Sequence, residues 1–241
     1  MQTQDNREKL EGYPKVLVGC PTSHHKDYCL KEYALGLKSL TYPNKDILIV
    51  DNSKDDSYLN LIKSEEIPAI KGPWFEGAIE RIITSRNVLR KKVLDEGYDY
   101  FLSLEQDVIP PKDIIEKMLK CGKDVVTGVY FANNLMEDGT VKLIPLVYTL
   151  TDEATLTMQP IEDKELWDDP GLYKVVSAGL GCVLIHRSVF ENIEFRSENK
   201  NFDDRFFFID CYNNKIDVFC DTTIKCKHLI SRPRTWNTIK K

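Results

Sequence analysis

Short apolar runs that stop abruptly at polar residues recur along this chain, and between them apolar residues return at helical spacing. The first run, Lys15 to Gly19, ends at Gly-Cys-Pro-Thr-Ser, leaving Thr22, Ser23, His24 and His25 at the carboxyl end of a predicted strand. From Tyr28 to Leu40, Leu30, Tyr33, Ala34 and Leu37 recur with the period of a helix. Thr41-Tyr-Pro-Asn breaks it, and Asp46 to Val50 is a second strand that ends in Asp51-Asn52-Ser53, before the charged loop Lys54-Asp-Asp-Ser. Uninterrupted apolar strands are buried on both faces, and strand–helix–strand units build parallel sheets. A long helix is predicted from Gly77 to Glu96, a strand from Tyr100 to Leu104, a helix from Lys112 to Lys120 and a strand from Asp124 to Gly128. Residues 151–170 are polar and acidic with no strong period, which predicts an insertion or flexible loop. Tyr173 to Ile185 holds two β-like runs around a Gly-x-Gly break. A helix starts at Asp203 with Phe207, Phe208 and Cys211 as its apolar side, followed by β-like runs at 216–220 and 223–227. No repeat or linker divides the chain, so the pattern predicts one α/β domain with a mostly parallel sheet flanked by helices.

Against this pattern, a few polar residues stand out. The stripe Ile79, Ile82, Ile83, Leu89 and Val93 of the long helix also contains Arg86. A guanidinium faces inward only where an anion meets it, either a ligand or a core carboxylate. The strand at 100–104 runs straight into Glu105 and Asp107. Strand alternation puts the two carboxylates on one side, where they can converge on a hard divalent cation, Mg²⁺ or Mn²⁺; solvated acidic residues near a helix start are the plain alternative. Gly179 and Gly181 follow no βα turn suited to a dinucleotide fingerprint, and are expected to let backbone approach a ligand or a neighbouring strand closely. Asp203 and Asp204 sit where acidic caps are routine. Cys220, Cys226 and His228 lack the paired-cysteine spacing of a zinc site.

With 241 residues, 42% of them hydrophobic and 29% charged, the composition is that of a globular protein with a sizeable core. A net charge of −5 supplies no overall basic field for nucleic acid. The seven cysteines form no compact framework, and the polar opening MQTQDNREKLEGYP has no signal-peptide pattern. Both favour a reducing, cytoplasmic compartment. No apolar run is long enough to span a membrane, which leaves a peripheral membrane role open.

Taken in order, these features resemble the family 2 glycosyltransferases, which have the nucleotide-sugar-binding fold called GT-A. The Pro-Thr turn and LIVDNSKDD resemble the first nucleotide-binding half of that family, and Ser85-Arg86-Asn87 its arginine–asparagine pair. Ser103-Leu-Glu-Gln-Asp-Val-Ile-Pro-Pro is similar to its aspartate-x-aspartate metal motif, with Glu105 replacing the first aspartate. Ala178 to Arg187 resembles the segment near the acceptor site, and Phe202 to His228 the stretch from the catalytic acid to a metal-binding histidine. The resemblance covers about residues 14–230. It implies a single GT-A domain, with a nucleotide-binding half at about 14–110 and an acceptor half at about 111–230. The donor, a UDP- or GDP-sugar, would meet Pro21, Thr22, Asp51, Asn52, Arg86, Glu105 and Gln106. Mn²⁺ or Mg²⁺ would be held by Glu105, Asp107 and His228. The acceptor, a hydroxyl of a glycan, lipid or protein, would meet Gly179, Leu180 and Gly181. Asp204, beside Asp203, would be the base of an inverting transfer. Two departures are plain: the family's catalytic Glu-Asp is Asp203-Asp204 here, and the glycine after the catalytic helix is replaced by Asn213-Asn214-Lys215. An inactive nucleotide-sugar- or glycan-binding module, a nucleotidyltransferase with a related sheet, and a scaffold domain without chemistry are the alternatives.

Overall fold

The computed structural model describes residues 12–135, 139–155, 157–198 and 202–229. The first two apolar runs form parallel strands β1 (Val16–Thr22) and β2 (Lys45–Asp51), joined through a 3-10 turn (His24–Cys29) and helix α1 (Leu30–Ser39). Helix α2 (Ser57–Ser64) follows the charged loop, because Tyr58, Leu59 and Ile62 give it a buried face. Strand β3 (Ala69–Lys71) extends the sheet beside β2, and helix α3 (Ala78–Asp95) leads to β4 (Tyr100–Leu104), parallel to β1. Short β5 (Val108–Ile109), helix α4 (Ile114–Lys120) and β6 (Val125–Val129) come next.

The second half is mostly antiparallel. Strands β7 (Phe131–Leu135) and β8 (Val141–Pro145) make a hairpin, and β9 (Val147–Asp152), β10 (Thr157–Pro160), β11 (Leu172–Val175) and β12 (Ser177–Ala178) follow. Strand β13 (Cys182–His186) then leads through helices α5 (Arg187–Asn192) and α6 (Asp203–Asn213) to β14 (Val218–Lys225) and β15 (Lys227–His228). One eight-stranded sheet in the order β11-β14-β6-β13-β4-β1-β2-β3 runs through both halves, with β13 inserted antiparallel between β4 and β6. The chain thus has a mixed α/β, single-domain, GT-A-like fold.

Alternation along the strands fills a core on each face of this sheet. Val16, Val18 and Cys20 of β1 pack into one, with Tyr33, Leu37 and Met118 from the helices. Leu17 enters the other, with Leu89, Val93, Phe190 and Phe207. Because β1, β2 and β4 are parallel, Thr22, Asp51 and Leu104 reach the same sheet edge, where open α/β sheets place their ligands.

Two expectations change here. Alternation does not continue past Leu104: a turn closed by the Val108 N–H on the Glu105 carbonyl (2.9 Å) separates Glu105 from Asp107. Residues 151–170 are not an irregular loop. Strand β10 pairs with β9, and a π-helical turn (Lys164–Asp168) follows, anchored by buried Ile161 and Leu166. The polar opening to residue 11, residues 136–138 and the tail with Arg232, Arg234 and Trp236 lie outside the described residues. Among the described residues, no helix is long and apolar enough to cross a membrane.

Candidate functional site

Beyond the carboxyl ends of β1, β2 and β4 lies a cleft of about 280 Å³. Arg86, Glu105 and Gln106 form its floor, and Pro21, Thr22, Asn52, Asp203 and Asp204 line it with Ser23, Lys26, Ile82 and Phe202. Through Ser23 and Asn52 it adjoins a second hollow of about 230 Å³, walled by Trp74, Lys54 and Arg81.

Arg86, 1% exposed, is the centre of the floor. Its Nε donates to Asp203 Oδ2 (2.6 Å), its Nη1 to Ser103 Oγ (2.9 Å) and its Nη2 to Glu105 Oε1 (3.1 Å). Its anion is therefore a pair of protein carboxylates, and it acts as the clamp between α3, β4 and the start of α6. Burial opposes the charge of Arg86, but Asp203 and Glu105 more than restore it, so its pKa is raised. Burial also pushes Glu105 above the ordinary carboxylate value against the pull of Arg86.

Asp203 is buried against that clamp. Asp204 turns its carboxylate to the cleft, accepts the Arg205 N–H (2.7 Å), and is pushed up in pKa, chiefly by burial. The two carboxylates, adjacent in sequence, have separate environments: one is neutralised by a guanidinium, the other is half-buried and raised.

Asp107 has its own set of partners, although it stays near enough to Glu105 to add to the upward push on that carboxylate. The β15–β5 pairing sets His228 opposite Val108, and the Leu229 N–H donates to the Asp107 carbonyl (2.8 Å). His228 Nδ1–H donates to the Phe131 carbonyl (2.6 Å), which aims Nε2 at Asp107 Oδ2, 3.4 Å away. The Lys26 ammonium donates to that same oxygen. Burial would raise Asp107, but His228 and Lys26 hold it down at about 2, and the Asp107 contacts in turn raise His228 against the effect of its burial.

The expected metal ligands can be tested against this geometry. Asp107 and His228 are donors that a hard divalent ion accepts, and among the described residues the buried Asp107 Oδ1 has no hydrogen-bond partner. Glu105, however, is turned to Arg86, and a cation on Asp107 Oδ2 would stand where the Lys26 ammonium stands. Among the described residues, no group of three or more His, Cys, Asp or Glu side chains is placed to hold a metal. The residues as placed do not fit Mn²⁺ or Mg²⁺ alongside Lys26.

The remaining predicted residues have structural duties. Asp51, fully buried, accepts from Ser53 N–H (3.0 Å), Ser53 Oγ (2.6 Å) and Lys71 Nζ (2.9 Å), behind the cleft wall. Gln106 accepts from Thr22 Oγ1, and its amide donates to the Lys26 carbonyl (2.8 Å) and Tyr58 Oη (2.6 Å). At Gly179 and Gly181 the close approach is made by Tyr130: a Cβ on Gly179 would lie 2.0 Å from its hydroxyl oxygen. Leu180 is a core residue whose carbonyl accepts from Ser103 Oγ (2.6 Å), and Gly181 accepts the Glu105 N–H through its own carbonyl (3.0 Å). These three residues thus buttress the cleft floor. The residue that sequence reasoning missed is Lys26. Nothing in PTSHHKDY distinguishes it from a solvated loop lysine, and its partner Asp107 lies 81 residues away.

Among solved structures, the chain is similar to S. aureus TarS 1–349 in complex with UDP-GlcNAc, at 15% identity and a TM-score of 0.55 over 88% of this chain and 58% of that one. It is similar to S. aureus TarS 1–349 alone at 13% identity and a TM-score of 0.55, over 88% and 60% of the two chains. It also aligns with A197 from STIV at 17% identity, over 90% and 86% of the chains, with a TM-score of 0.47. This chain therefore spans less than two thirds of the TarS 1–349 chains, and the likeness is one of fold. No protein-family model matches, and no curated protein matches in sequence.

Proposed function

We propose that this protein transfers a sugar from a nucleotide-diphosphate sugar to a hydroxyl acceptor. The observation that carries this reading is the division of labour between Asp203 and Asp204 at the mouth of a cleft at the carboxyl end of a GT-A-like sheet. The fold likeness to TarS, solved with UDP-GlcNAc, supports a nucleotide sugar as the ligand. In this reading the diphosphate lies over the cleft floor, and the base reaches the adjoining hollow, where Lys54 and Arg81 lie over the Trp74 ring.

Asp204 is the general base. Its proton affinity, raised by burial, suits it to take the acceptor's hydroxyl proton. As that proton moves to Asp204, the acceptor oxygen bonds to the anomeric carbon and the bond from that carbon to the phosphate oxygen breaks. The nucleoside diphosphate leaves with the electron pair, and a single displacement inverts the anomeric centre. Arg86 positions rather than reacts: it holds Asp203 away from the acceptor and keeps Glu105 in the floor. Holding donor, acceptor and base in register supplies much of the rate. The acceptor class is a hydroxyl of a glycan, lipid or protein.

A thermal-shift panel of UDP, GDP, CMP and dTDP tests the donor site. A nucleotide at about 100 times its Kd adds about 2.7 kcal/mol to the folded state, about 5–10 °C for a chain of this size. The expected result is such a shift with one nucleotide, and slow release of that nucleotide from its sugar conjugate. No shift with any of the four, in a protein that melts cooperatively, overturns the reading. A shift without turnover for any acceptor selects the binding-module alternative.

A further inference from the structure

In the Lys26–Asp107–His228 cluster, Asp107 Oδ2 already has a cationic partner in Lys26, with the His228 ring nitrogen 3.4 Å away. Lys26 is not a floppy surface lysine that happens to reach Asp107. Its N–H donates to the Ser23 carbonyl (2.9 Å), and its carbonyl accepts both the Gln106 amide (2.8 Å) and the Cys29 thiol (3.1 Å). Gln106 is itself held by Thr22 and Tyr58. The 3-10 turn carrying Lys26 is therefore pinned to the bend after β4, the same bend that carries Asp107. The lysine is fixed at its backbone and aimed at one carboxylate.

An ammonium has three N–H donors, and the bond to Asp107 uses one. The side chain keeps 35% of its surface exposed, and it lines the cleft beside Thr22, Glu105 and Asp204. A fixed positive charge with spare donors, at the sheet edge where ligands bind, is suited to phosphate oxygens. On the reading given under Proposed function, on which this inference rests, those oxygens belong to the donor's diphosphate. From this geometry we infer that Lys26 is the resident cation of the site, contacting the diphosphate where a divalent ion bound to Asp107 would do so, and that nucleoside diphosphate binds without added metal.

The experiment is isothermal titration of the full chain with UDP, and with GDP as a second probe, in EDTA and in Mn²⁺. Wild type, Lys26→Met and Lys26→Arg are compared, each first checked for an unchanged melting temperature. The wild type is expected to bind one of the probes in EDTA within about threefold of its affinity in Mn²⁺. Removing a charged hydrogen bond to a phosphate costs about tenfold or more, so Lys26→Met should lose that much in EDTA. Mn²⁺ should then restore part of the loss, because Asp107 and His228 are freed to take an ion. Lys26→Arg, which keeps the charge, should bind in EDTA and serves as the arm that survives if the methionine variant does not fold. Wild-type binding that needs Mn²⁺ overturns the inference and leaves the donor-site reading standing, as does equal binding by wild type and Lys26→Met in EDTA. No binding of either probe in either condition overturns both.

Discussion

At the scale of single residues, two neighbouring aspartates separate structure from chemistry. Asp203 completes a buried ion pair, whereas Asp204 bears the desolvation of a half-buried carboxylate with a backbone N–H as its hydrogen-bond partner. The sign of that shift makes a prediction. A folded-state pKa raised above the ordinary value of 3.8 means that the stabilising share of the protonated form is fully present below 3.8 and is lost as pH rises through the folded value. Asp204→Asn keeps the acceptor for the Arg205 N–H and removes the charge. The variant should therefore melt higher than wild type at neutral pH, and the gain should disappear toward acid pH; melting curves across the carboxylate range measure it. Turnover of the nucleotide sugar identified in the panel should fall about 10²–10⁴-fold in the same variant. A base of raised pKa also places the acid limb of the wild-type rate profile above the ordinary carboxylate range. A stability difference independent of pH would contradict the assignment.

At the scale of elements, the glycines before β13 make room for a side chain of the protein itself. Tyr130, just past β6, fills the space over Gly179 and Gly181, and its hydroxyl accepts the Gly181 N–H (3.0 Å). Gly179→Ala should destabilise the fold by about 1–3 kcal/mol through overpacking. Tyr130→Phe should cost about 1 kcal/mol by leaving that N–H unpaired. Because the phenylalanine removes the atom 2.0 Å from the new Cβ, the double variant should lose less than the sum of the singles, a coupling that urea melts can read. Strict additivity would show that the contact does not limit the site. The same elements show how far the chain could be read unaided. Strands β1, β2 and β4 and helix α3 were legible because continuous apolar runs and a 3.6-residue period are local signals. Arg86 was legible because a charge on an apolar stripe demands an anion. Its partner Asp203, 117 residues away, was not, since only the sheet topology brings α3 and α6 together. The β10 pairing within 151–170 was hidden because its polar strand is defined by a neighbour and not by its own pattern. The turn between Glu105 and Asp107 is one to which strand alternation is blind.

At the scale of the whole molecule, the site is also a seam. The sheet is continuous from β3 to β11, but the helices on the Arg86 face come from both halves of the chain, joined by the Arg86 guanidinium and by Asn87 and Arg90 on the backbone of Phe190, Ile193 and Phe195. On the proposed function, stability and catalysis are therefore coupled through a cation that reaches two carboxylates and Ser103. Arg86→Met leaves Asp203, 3% exposed, as an uncompensated buried charge, which typically costs about 3–5 kcal/mol. For a chain of this length that is a fall of about 6–20 °C in melting temperature. A buried pair removed as a unit behaves differently, because the desolvation of both ions is relieved together. Arg86→Met combined with Asp203→Leu should therefore melt well above Arg86→Met alone, although it still leaves Glu105 without its partner. Arg86→Lys should fall between wild type and Arg86→Met, since a single ammonium cannot reproduce the three directed bonds of the guanidinium. Differential scanning calorimetry of the four proteins orders them. If the double variant melts no higher than Arg86→Met, the seam is held by the shape of the arginine side chain and not by its charge.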